Sequence, residues 1–67
     1  MSVLTVRADR LIPRDAILRG RKRMVVLHAI PNLLRNGYTE VRYHLHGGKQ
    51  TFTTFIKNDK PTKVERA

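Results

Sequence analysis

Residues 38–56, YTEVRYHLHGGKQTFTTFI, limit what this chain can fold into more than any other stretch. Two runs rich in Val, Thr, Tyr and Phe flank Gly47-Gly48, a strong local signal for a β-hairpin. Primed hairpin turns need positive φ, which glycine takes without a Cβ clash. With Gly47 and Gly48 as the two loop residues, His46 faces Lys49, Leu45 faces Gln50, Tyr43 faces Phe52 and Val41 faces Thr54. Side chains alternate across a strand. Val41, Tyr43, Leu45, Phe52 and Thr54 therefore share a face that is expected to be buried. Arg42, His44, His46, Lys49, Thr51 and Thr53 share the wet one. A Tyr43–Phe52 cross-strand pair would hold the register, at about 0.2–1 kcal/mol. Phe55 falls on the wet face, either as a contact for something else or as the sign of a register shift after Thr54.

The remaining chain divides into similar short pieces. Residues 2–8, SVLTVRA, read as a first strand with Leu4 and Val6 inward. Leu11-Ile12-Pro13-Arg14-Asp15 is a turn, because proline fixes φ and disfavours helix at the residue before it. The Asp15 side chain can bond nearby backbone N–H groups there. Residues 16–18 form a very short second strand, and Arg19-Gly20-Arg21-Lys22 a charged turn. Residues 23–30, RMVVLHAI, are the longest strand candidate. Val25, Val26 and Leu27 run without alternation, which suits a central or bending strand. A helix through this region is the competing assignment, but Gly20 and Pro31 leave it only ten residues, and Val25-Val26 is a poor helical pair. His28 in this apolar strand reads as hydrogen-bonded and partly buried. Residues 31–37 read as a loop with one helical turn over 32–35, capped by Asn32 and ended by Gly37. Leu33 and Leu34 are expected to cover the core. Residues 58–61 form a turn and 62–65 a last short strand. The expected fold is all-β: a small barrel or sandwich of five to six short antiparallel strands, with at most one short helical turn. Its core should join Val41, Tyr43 and Phe52 to Val25 or Leu27.

With 67 residues the chain is expected to be a single domain, residues 1–67. A domain of this size buries only about 60% of its unfolded surface. No cysteine is present to staple it or to supply a thiolate metal site. Self-association as a homodimer is one route to added stability and stays open. No apolar run approaches the ~20 residues of a membrane helix. No secretory signal is visible, and the absence of cysteine fits a reducing compartment, so a cytoplasmic location is expected.

The segment VRADRLIPRDA (residues 6–16), followed by Gly20, the Val-rich strand and the Gly-Gly hairpin, resembles the small SH3-like or Hint-like β-barrel proteins of actinobacteria and their phages. Such proteins often have glycine before the aspartate of the L-x-P-x-D turn, where this chain has Arg14. The resemblance covers most of the chain and implies an SH3-like barrel; small barrels host many functions. The catalytic residues of self-splicing Hint domains are missing.

Charge carries the functional expectation. Fourteen Lys and Arg stand against five Asp and Glu, a net +9. Such an excess favours an anionic partner, most often nucleic acid. The candidate contacts are Arg19, Arg21, Lys22 and Arg23 around one turn, with Arg42, His44 and Lys49 on the wet hairpin face. Arg7, Arg10 and Arg14 form a third basic group. Cations in these patterns grip phosphates, so the expected partner is duplex DNA, bound through its backbone with little sequence preference. Few aromatics are expected at the surface, which argues against a strong stacking platform for single strands. The alternative is a protein-interaction module, such as a phage or bacterial regulator, docking on an acidic surface of a larger protein.

His44 and His46 project from one face of a strand, but two exposed histidines on a basic strand are the commoner case, and no metal site is expected. The five carboxylates are scattered, and Ser2 sits at the terminus. Gly47-Gly48 joins strands instead of opening a helix onto phosphate. No enzymatic activity and no cofactor are expected.

Overall fold

Every β-branched run becomes a strand in the computed structural model, which describes residues 2–67. The strands are β1 (Ser2–Arg7), β2 (Ala16–Arg19), β3 (Lys22–Pro31), β4 (Tyr38–Leu45), β5 (Thr51–Lys57) and β6 (Pro61–Arg66). They form one antiparallel sheet in the order β1-β6-β2-β3-β4-β5. The sheet curls, so that Leu4 and Val6 of β1, Val64 of β6, Val41 of β4 and Ile56 of β5 share a single core with Ile17, Met24 and Val26. Its ladder is not closed: β1 and β5 each pair on one side only.

The β4–β5 register follows the hydrophobic pattern, with Tyr43 opposite Phe52 and Val41 opposite Thr54. The connection differs from the expected two-residue primed turn. The ladder ends at His44–Thr51. Gly48 N–H donates to Leu45 O at 2.8 Å, which makes His46 and Gly47 the central turn residues. Gly47 alone takes positive φ, +79°. The His46 N–H is drawn sideways to Arg23 O at 2.9 Å, extending the β3–β4 ladder instead of pairing with Lys49.

A bulge between Val26 and His28 explains the run without alternation in β3. Val26 points inward, opposite Tyr43, and is fully buried. Val25 lies on the convex face, opposite His44, and the extra residue Leu27 is exposed. The core partner of Val41 is thus Val26, not Val25 or Leu27. Phe52 is also less buried than expected, at 39% exposure, and Tyr43 is half-buried. Both face inward, but β5 is an edge strand with no neighbour to cover it.

Two local features depart from expectation. The residues after Pro31 make no helical turn. Asn32 takes φ +60°, and its Oδ1 accepts the Gly37 N–H at 2.8 Å and an Asn58 amide N–H at 3.0 Å. Those bonds close an irregular loop that turns Leu33 and Leu34 outward, the latter 73% exposed, so neither covers the core. Ala8–Arg10 instead forms a short 3-10 turn, held by Ala8 N–H to Lys60 O at 3.1 Å and Asp9 N–H to Asn58 O at 3.2 Å. It tucks Ala8, and Leu11 just beyond it, into the core.

The turn before β2 closes by a bond from Asp15 N–H to Ile12 O at 3.1 Å. Pro13 and Arg14 are its central residues, and Arg14 takes φ +77°. That is the third-position demand of a type II turn, normally met by glycine. Asp15 holds the turn as expected, its Oδ2 accepting Ile12 N–H at 3.0 Å.

Candidate nucleic-acid interface

Two hairpin tips meet at one place on the sheet. β2 and β3 are joined by Gly20-Arg21, and Arg19 pairs with Lys22 at the base of that turn. Gly20 has φ +58° while Arg21 does not, the pattern of a turn with glycine at its first central position. The neighbouring tip, residues 46–50, is stitched to it by the His46–Arg23 backbone bond. Arg19, Arg21, Lys22 and Lys49 all belong to these tips and are exposed. None of the five carboxylates lies within either tip.

The expected site residues do not form one continuous face. Arg19 and Lys22 have the parity of Ile17 and Met24, so they lie on the concave side. Arg23 alternates to the convex side, where its guanidinium is ion-paired with Glu65 of β6. Arg42 is convex and exposed, one ladder pair from His44 and opposite His28 and Thr53. His44 is half-buried. Its Nδ1 lies 3.0 Å from Leu45 O, a contact in which the ring nitrogen must donate. The tips thus gather Arg19, Arg21, Lys22 and Lys49, while Arg23 is already neutralised and Arg42 and His44 belong to a separate face.

His28 is partly buried and hydrogen-bonded, as expected: its Nε2 lies 3.2 Å from Glu40 Oε2 on the convex face. Among the described residues, no three His, Asp or Glu side chains converge as metal ligands. Among the described residues, no helix is long and apolar enough to cross a membrane.

Sequence reasoning missed a recess on the concave side of the same end. Arg19, Lys22, Met24, Tyr43, Leu45 and Phe52 line it. The Tyr43 and Phe52 rings are stacked, with centroids 5.6 Å apart and planes at 27°. The parity of Arg19 with Ile17 was readable in the residues. The edge position of β5, which leaves Phe52 uncovered, was not.

Arg7 is likewise engaged, its Nε and Nη2 reaching Asp9 at 3.1 and 3.0 Å. Asp9, Asp15 and Glu65 thus face Arg7, Arg66 and Arg23, and the hairpin tips keep their positive charge. No family model, curated protein or solved structure matches the chain.

Proposed function

We propose that this protein binds nucleic acid, chiefly through phosphate, using Arg19, Arg21, Lys22 and Lys49 of the paired hairpin tips, with Arg42 and His44 as flanking contacts on the convex face. The observation that carries this is the meeting of two tips rich in cations and free of carboxylates, stitched by the His46–Arg23 backbone bond. Phosphate contacts fix position without reading bases, so affinity should vary little with sequence.

Fluorescence anisotropy with a random-sequence DNA duplex over a salt series tests it. Each neutralised phosphate contributes a slope of about −0.9 in log K against log salt, so four contacts give about −3 to −4. Reversing Arg21, Lys22 and Lys49 to Glu should weaken binding to all sequences alike and flatten the slope. Absence of binding at low salt would overturn the proposal.

One observation favours a second reading. On the convex face, Ile30 and Phe55 flank Glu40 in one cross-strand row and are both exposed, with Arg42 close by. Aromatic, apolar and arginine side chains side by side suit a protein interface, in which Arg42 supplies the cation that would meet an acidic group. Loss of nucleic-acid binding together with capture of an acidic protein through Arg42 would select it.

A further inference from the structure

Two side-chain pairs share the concave face at the tip end, and they differ in chemistry. Arg19 and Lys22 are cations facing each other across β2 and β3. Tyr43 and Phe52 are stacked rings facing each other across β4 and β5. Between the pairs lies a recess of about 210 Å³ with Met24 and Leu45 in its lining. Tyr43 is in contact with one side of Phe52, while Phe52 keeps 39% of its surface exposed on the edge strand.

A ligand that satisfies this recess must be flat and apolar on its faces, to extend the aromatic stack. It must also carry negative charge beside the ring, to meet two cations. A nucleotide unit has both properties. Small-molecule pockets usually span about 300–1,000 Å³, so this recess takes a single ring system and not two stacked bases. A base inside a duplex is paired and stacked on both faces, and reaching Phe52 would require extruding it. A base in a single strand is already free.

Building on the nucleic-acid reading above, we propose that the recess holds one unpaired base of a single-stranded nucleic acid, stacked on Phe52, with the adjoining phosphates on Arg19 and Lys22. Every base has a π-face, so the contact selects unpaired strands over duplex without selecting sequence. It adds a base-dependent contact to the phosphate-led binding of the tips.

Three fluorescent probes of equal length test it: an oligothymidylate, a strand whose central residues are abasic, and a duplex. The abasic strand keeps its phosphates and lacks the ring. The parent should bind the oligothymidylate about tenfold more tightly than the abasic strand, the size expected for one stacked base. Phe52→Leu keeps an apolar side chain at an exposed position and removes the ring. It should abolish that tenfold difference and leave binding to the abasic strand and the duplex unchanged, with the same salt slope. Phe52→Trp should retain the difference, and its fluorescence should be quenched by the oligothymidylate and not by the abasic strand. Equal affinity of the parent for the first two probes, or a uniform loss on all three in Phe52→Leu, overturns the base-stacking inference while salt-dependent binding leaves the phosphate-led reading standing. No binding to any probe at low salt overturns both.

Discussion

The Arg66 guanidinium clasps the Asp15 carboxylate through two bonds of 2.8 Å, Nε to Oδ1 and Nη2 to Oδ2. It ties the last strand to the turn that starts β2. The Asp15 side chain is almost wholly buried, and its Oδ2 also accepts the Ile12 N–H. Burial by itself would push the carboxyl up. The hydrogen bonds from Arg66 and Ile12, with the Arg66 charge, outweigh burial and hold it below its ordinary value.

A carboxyl depressed in the folded state favours folding whenever it is ionised. Its contribution is complete above the unfolded value of about 3.9 and is lost as pH falls through the lower folded one. Urea denaturation across a pH series should therefore show a loss of stability from this group only below about pH 4. Asp15→Asn should cost about 1–3 kcal/mol at neutral pH, by weakening charge-assisted bonds. It should also make the acid-side decline shallower; an unchanged decline would show that Asp15 does not drive it.

Core substitutions should rank by burial and not by side-chain size. Ile17 is 2% exposed and Phe52 39%. Ile17→Ala should cost about 2–5 kcal/mol, a large part of the stability of so small a domain. Phe52→Ala deletes a larger side chain and should still cost less than Ile17→Ala, since 39% of Phe52 is already in water. Thermal melts of the two variants check the order.

Arg14→Gly should stabilise the fold. An L-residue in the left-handed region costs about 1–2 kcal/mol, which glycine avoids at the φ of +77° found here. Glycine gives back part of that through its freer unfolded chain, leaving a gain of about 0.5–1 kcal/mol. The melting temperature should rise by about 2–8 °C. A fall would mean that the Arg14 side chain makes a stabilising contact larger than the backbone strain.

Glu65 neutralises one of the candidate contacts, Arg23. Glu65→Gln should release that guanidinium, tighten DNA binding at low salt and steepen the salt slope by up to about 0.9. Stability should change by no more than about 1 kcal/mol, as for other partly exposed ion pairs. Arg21→Ala should weaken binding more than Arg23→Ala does, because Arg21 has no such acidic partner among the described residues.

What the sequence determined by itself was local. Alternation and punctuation by Gly and Pro placed six strands, paired Tyr43 with Phe52 and Val41 with Thr54, and assigned Asp15 to its turn, because each depends on neighbours close along the chain. The bend in β3 was visible in Val25-Val26-Leu27, though not which valine would face the core. Tertiary structure decided the rest. Strand order put β5 at an edge and so exposed Phe52, a consequence no period-two pattern contains. The pairing of β6 with β2, and of β2 with β3, brought Arg66 to Asp15 and Glu65 to Arg23, residues 51 and 42 positions apart. Those pairings separate neutralised cations from free ones, and composition counts both alike. The net charge was set by the residues; the positive end was set by which strands became neighbours.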